Sequence, residues 1–185
     1  PASRILDPDE MIRLWHSMAA LSYPAQQYMK MLLLTGQRRD DIRLMHWSEI
    51  NLKLGNWLIP RDRYKGGKDH LIPLTDRMLT LLADMPFRDR EGYVFSASSG
   101  ENPYANLTKP KNKLDHLSAV TDWTLHDIRR TVRTGLSMNG IRPDIAERVI
   151  GHNVGGRLGE TYDVYSYRSE KLEALEVWDA YLTSA

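Results

Sequence analysis

Arginine, lysine, histidine and tyrosine stand in this chain at positions from which they could act together on a phosphodiester. Phosphoryl transfer loads negative charge onto two non-bridging oxygens, and planar guanidinium groups meet that charge with paired hydrogen bonds. A nucleophile must attack, and the leaving oxygen must receive a proton. Metal ions can perform these tasks, but only where carboxylates or His and Cys ligands cluster. Here His16, His46, His70 and His116 are scattered and Cys is absent. The expected site therefore uses side chains alone, with no metal and no cofactor.

Taken singly, each candidate has a plainer account. Thr35-Gly36-Gln37-Arg38 closes an apolar helix, which leaves Arg38 at or near the start of the next one, where backbone N–H groups favour an anion. A surface Arg paired with Asp41 would explain it more simply. Lys65 opens Lys65-Gly66-Gly67-Lys68 between two strands and could reach into a groove, although a solvated turn is the simpler account. His126-Asp127-Ile128-Arg129 sets His126 and Arg129 one turn apart on a helix face, or on a solvent-facing edge. His152 follows Gly151 just past a helix end, where a histidine also complements the helix dipole. Tyr162, Tyr165 and Tyr167 precede the final helix, a place where tyrosines more often pack than react.

These residues need elements to position them. Asp7, Pro8 and Glu10 form a helix start with a capping box, followed by Met11, Leu14, Trp15 and Met18 at helical spacing. A second helix is expected from Pro24 to Thr35, stopped by Gly36, and a short third from Arg39 to Met45. The period then changes. Leu52 to Leu54, Trp57 to Ile59 and Leu71 to Pro73 predict three short strands, joined by turns containing Gly55-Asn56 and Gly66-Gly67. A helix over Thr75 to Met85 and an isolated strand at Tyr93-Val94-Phe95 follow. The second half predicts helices over Asn106 to Ala119, Thr124 to Asn139 and Pro143 to Ile150, then a mobile glycine-rich loop over Asn153 to Gly159. A last amphipathic helix runs from Ser169 to Leu182, with Leu172, Leu175, Val177, Trp178 and Leu182 available to pack. The fold class is mainly α with a small three-stranded antiparallel sheet (α+β), and residues 1–185 read as a single domain.

Bulk composition sets limits on this reading. The chain of 185 residues is long enough for one well-buried domain. It begins at Pro1 without an initiator Met and is expected to be a piece of a longer protein. No apolar run reaches membrane-spanning length, and the lack of Cys excludes disulfides and thiolate metal sites. The formal net charge of +1 speaks against a strongly basic module, yet acids gather after Glu160 and leave the preceding body net basic. Basic clusters at Arg61, Arg63, Lys65 and Lys68, at Lys109, Lys111 and Lys113, and at Arg129, Arg130 and Arg133 are individually solvated surface and together compatible with a polyanion partner.

In order and spacing, the candidates resemble the active site of the tyrosine recombinase (phage integrase) family, which runs Arg, a hairpin Lys, His-x-x-Arg, Gly-His and then Tyr. The matching residues are Arg38, Lys65 ahead of Leu71-Ile72-Pro73-Leu74, His126 and Arg129, Gly151-His152, and Tyr162. The match covers nearly the whole chain. Tyr162-Asp163 with Glu170-Lys171 and Trp178 is also similar to the C-terminal run of prophage and genomic-island integrases. Two supporting positions depart: many members carry Leu or Val where Gln37 stands, and Glu where Asp41 stands. The resemblance implies the tyrosine recombinase catalytic-domain fold, with the N-terminal DNA-binding domains of the full-length protein absent from this chain. It implies a site-specific recombinase or integrase acting on double-stranded DNA at attachment sites, without metal, through a 3′-phosphotyrosine. Tyr162 would be the nucleophile, Arg38 and Arg129 the phosphate clamp, His152 a further phosphate ligand, His126 the acceptor of the phenolic proton and Lys65 the donor to the leaving 5′-oxygen. It also implies a homotetramer on DNA, or a monomer as an isolated domain, in the cytoplasm of a bacterium and encoded by it or by a phage. The competing readings are a type IB topoisomerase-like nicking-closing enzyme, a DNA-binding regulator with an inactive site, and a helical interaction domain. The final helix carries two expectations: docking between protomers, as in the family, or completing the domain's own core through Leu172, Leu175 and Trp178.

Overall fold

A computed structural model describes residues 4–86, 91–152, 154 and 166–183. Tyr162, Tyr165 and all of the expected glycine-rich loop except Val154 lie outside the described residues. The helices are α1 (Pro8–Ser17), α2 (Ala25–Thr35), α3 (Arg39–Arg43), α4 (Asp76–Ala83), α5 (Thr108–Ser118), α6 (Leu125–Met138), α7 (Pro143–Ile150) and α8 (Arg168–Thr183). Between α3 and α4 lies an antiparallel sheet of β1 (Ile50–Asn51), β2 (Asn56–Ile59) and β3 (His70–Pro73) in that spatial order. Trp57 pairs with Ile50 on one side and Ile72 on the other.

The architecture follows from how much of each helix is apolar. Helix α2 is hydrophobic on nearly every face and lies at the centre, with Tyr28, Met29, Met31, Leu32, Leu33 and Leu34 all buried. Around it pack the amphipathic helices α4 and α6, together with α8. Capping residues set the boundaries as the sequence predicts. Asp7 and Glu10 close the capping box of α1, Thr124 and Asp127 that of α6, and Gly36 and Gly151 end α2 and α7 in the left-handed conformation.

The first strand differs from its expected place. Leu52 to Leu54 form a turn, and the strand is Ile50–Asn51. The Asn51 side chain accepts from the Leu54 amide at 2.9 Å, which turns the backbone out of the sheet. Leu52 and Leu54 consequently face solvent, so their apolar character misled the strand assignment. Tyr93-Val94-Phe95 likewise forms no strand of its own. It is held by a single bridge between His46 and Tyr93 and by a bond from the Val94 amide to the Met45 carbonyl.

Helix α8 completes the domain's own core. It packs on α7, β3, α6 and α2, and buries Ala174, Leu175, Trp178 and Leu182. Leu172 and Val177 are only half-buried. The Trp178 indole donates to the Leu33 carbonyl at 2.8 Å, and Gly135 on α6 leaves the space its ring fills. Asp179, also buried, accepts from Thr75 and pairs with Arg77. No helix among the described residues is long and apolar enough to cross a membrane.

Candidate active site

An open cleft of about 600 Å³ is lined by Arg38, Lys65, His126 and Arg129 together with Gln37, Asp41 and Arg63. Four of the six residues singled out from the sequence therefore share one cavity. Each arrives there for a local reason. Gly36 reverses the chain at the end of α2, and a Cβ at that glycine would lie 2.8 Å from Val132 on α6. This close approach sets Arg38, the residue capping α3, beside Arg129 of α6. The capping box at Thr124 and Asp127 fixes the start of α6 and with it His126 and Arg129. Lys65 stands exposed in the turn between β2 and β3, which is closed by bonds from Tyr64 to Pro60 and from Arg61 to Asp69.

The electrostatics leave this cleft short of negative charge. Arg129 is 4% exposed and donates one Nη to the Gly36 carbonyl at 3.0 Å. Burial, and then the neighbouring charge of Arg38, lower its pKa to about 10, so it remains a cation at neutral pH. Asp41 is the buried counter-ion, with Arg38 at 3.6 Å and Arg63 at 3.9 Å. Burial raises its pKa despite the surrounding arginines. Arg63 is also committed to Glu49 at 2.5 Å. The plainer account of Arg38, a pair with Asp41, is thus half correct, because 3.6 Å is an ion pair too long for a hydrogen bond. One Nη of Arg38 and one of Arg129 are buried with no hydrogen-bond partner. Buried donors of this kind are costly until an acceptor arrives. The Arg38 nitrogen is the one facing Asp41 at 3.6 Å, and two guanidinium groups lining one cavity make a receptor for a tetrahedral oxyanion.

His126 lies exposed on the wall of the cleft, and burial followed by the charges of Arg130 and Arg129 lowers its pKa. It is therefore neutral at pH 7 and can accept a proton. Among the described residues no group of three or more His, Cys, Asp or Glu could hold a metal ion.

His152 lies in an adjoining cleft with Lys68, His70, Ser166 and Lys171, and Tyr64 stands between the two groups. The His152 Nδ1 contacts Glu147 at 2.6 Å, and Glu147 also binds Arg133. This contact assigns the Nδ1 hydrogen to the carboxylate and leaves Nε2 directed elsewhere. Lys68 thus lines a different cavity from Lys65. Tyr167 packs against the core, with the Arg148 guanidinium 3.8 Å from its ring centre. Tyr162 lies outside the described residues. Sequence reasoning had not assigned Tyr64, His70 or Glu147 to the site. Tyr64 gave a signal only as the neighbour of Lys65, His70 as the start of the strand behind it, and Glu147 by standing about one helical turn ahead of His152.

The phage integrase family matches residues 4–165. Prophage integrase IntF of Escherichia coli (strain K12) is 30% identical over 176 residues, which is 91% of this chain and 36% of that protein. Prophage integrase IntA of the same organism is 25% identical over 174 residues, 92% of this chain and 42% of that protein. This chain therefore spans about two fifths of the length of these relatives. Among solved structures, the integrase from mycobacterium phage Brujita is similar with a TM-score of 0.73 at 18% identity, over 97% of this chain and 59% of that one. The lambda integrase catalytic core gives 0.62 at 22% identity, over 82% of this chain and 96% of that one.

Proposed function

The chain belongs to the phage integrase family, and on that premise we propose that it is the catalytic domain of a DNA strand transferase working through a 3′-phosphotyrosine at Tyr162. The observation that carries this reading is the meeting of the Arg38 and Arg129 guanidinium groups with Lys65 and His126 in one cleft. In the reaction, the Tyr162 oxygen bonds to phosphorus and the bond to the 5′-oxygen breaks. Arg38 and Arg129 hold the two non-bridging oxygens where charge develops, and losing a preorganised donor of this kind costs about 10²–10³ in rate. His126 takes the phenolic proton and Lys65 protonates the departing 5′-oxygen. A 5′-hydroxyl then attacks the phosphotyrosine and the linkage is restored, so no external energy source is consumed.

Glu147 holds the His152 ring through its Nδ1 at 2.6 Å, and the imidazole Nε2 is the ring nitrogen left to meet the same phosphate. Three residues lie between Tyr162 and Ser166, four chain steps with an extended reach of about 14 Å, and Ser166 lines the cleft that holds His152. Relatives in this fold include a lambda integrase dimer bound to a core site and a tetramer bound to a Holliday junction. By analogy the partner is double-stranded DNA and the active assembly a homotetramer, working in the bacterial cytoplasm.

The test is incubation with a nicked suicide substrate in EDTA, followed by denaturing electrophoresis for a protein–DNA adduct. The wild type is expected to form the adduct, and Tyr162→Phe to bind the same DNA and form none. An adduct that persists in Tyr162→Phe, or that needs magnesium, overturns the reading. Cleavage by Lys65→Ala should be restored by a 5′-bridging sulfur, because a thiolate leaves without a proton. Adduct formation with resealing but no exchange between duplexes would instead identify a nicking-closing enzyme.

A further inference from the structure

Tyr64 stands where the parts of the divided site come together, although it has no place in the chemistry described above. Its ring is buried, and the Arg38 guanidinium lies 4.8 Å from the ring centre. Its hydroxyl donates to the carbonyl of Gly151, the residue before His152. Lys65 follows it directly in the chain. Gly66 lies against the same ring, where a Cβ would stand 2.5 Å from Cε1. At Gly151 the backbone is left-handed, with φ at 73°, and any Cβ would collide with the Tyr64 hydroxyl and the His70 imidazole.

A second tier braces this contact. His70 stacks on Tyr64 with ring centres 4.8 Å apart, and its Nε2 lies 3.1 Å from Gln37 Oε1. The Gln37 amide nitrogen already donates to the carbonyls of Thr35 and Val149, so its oxygen is the acceptor and His70 donates. Gln37 precedes Arg38, and Val149 lies two residues before Gly151. One continuous set of contacts therefore joins the end of α2, the turn carrying Lys65 and the end of α7. Separate chain segments carry Arg38, Lys65 and His152, and Tyr64 contacts Arg38, precedes Lys65 in the chain and bonds the residue before His152.

We propose that Tyr64 is a positioning residue that holds Arg38, Lys65 and His152 in a common register, its ring orienting the guanidinium and its hydroxyl fixing the corner that bears His152. The proposal rests on the phosphotyrosine reading. A tyrosine that only filled space would serve as well with its hydroxyl removed.

Tyr64→Phe and Tyr64→Leu separate these roles. In Tyr64→Phe, adduct formation at saturating DNA should slow about three- to tenfold, as for one lost hydrogen bond, while DNA affinity stays unchanged. The His152 ring resonances in a ¹H–¹³C spectrum, assigned through His152→Ala, should move. Tyr64→Leu should be slower still, and the gap between the two variants measures the ring's part. In a His152→Ala background, Tyr64→Phe should cost less than about twofold, because the hydroxyl acts through His152. Stationary His152 resonances, an unchanged adduct rate in Tyr64→Phe, or full additivity with His152→Ala each overturn the proposal. A wild-type chain that forms no adduct overturns the phosphotyrosine reading instead, and the coupling is then decided by the His152 resonances alone.

Discussion

Replacing Trp178 with alanine empties the largest site that α8 fills in the core. The indole is fully buried, and truncating such a side chain costs about 3–5 kcal/mol in lost transfer energy and residual cavity. Its N–H bond to the Leu33 carbonyl at 2.8 Å goes with it, at about 1 kcal/mol. Gly135 brings no side chain to the opposite wall, so the cavity has little with which to close. The expected loss is about 4–6 kcal/mol, a large share of the roughly 5–15 kcal/mol that stabilises a domain. Urea unfolding followed by far-ultraviolet circular dichroism measures it. With a slope of about 2 kcal/mol per molar, the midpoint should fall by roughly 2–3 M. A loss below about 1 kcal/mol would refute the reasoning, because α8 would then not be packed on its own body in solution. A midpoint that rises with protein concentration in the wild type would point the same way, toward docking on a second copy.

Two further outcomes follow from the site. His70 is buried and its pKa is lowered to about 3, first by desolvation and then by the charges of Lys171, Arg129 and Arg38. The unfolded imidazole gains a proton below about pH 6.5 while the folded one does not, so stability is lost on acidification from 6.5 toward 3, at up to about 1.4 kcal/mol per pH unit. Urea midpoints of wild type and His70→Asn at pH 7 and pH 5 check this, and equal slopes for the two would remove His70 as the cause. Arg38→Lys keeps the charge but loses the planar fork. Adduct formation should fall about 10²-fold or more with DNA affinity within about threefold, and a fully active Arg38→Lys would show that charge alone suffices.

The elements and the chemistry of this protein are largely local properties, which is why they were legible in the chain. Caps, stops and periods depend on neighbours a few residues away, so Asp7, Gly36, Thr124 and Gly151 marked helix ends where the structure has them. The strand at Leu52 to Leu54 failed because a side-chain bond from Asn51 competes with the ladder, and apolar patterning does not register that competition. The order of Arg38, Lys65, His126, Arg129, His152 and Tyr162 named the candidate groups without showing which of them meet.

Meeting was decided by packing between distant segments. The absence of a Cβ at Gly36 lets α2 close on α6, and that contact, between residues nearly a hundred positions apart, places Arg38 beside Arg129. Tyr64 and Gly151 are brought together in the same way, across 87 positions. Burial is likewise a property of the whole molecule. It makes His70 a neutral donor, leaves one guanidinium nitrogen each of Arg38 and Arg129 without a hydrogen bond, and turns the charged Lys171 and Asp179 of α8 inward. Residue types thus fixed what chemistry was possible, and long-range packing fixed which groups are dry, charged and close enough to perform it, because desolvation and Coulomb energies depend on distances that a linear order does not contain.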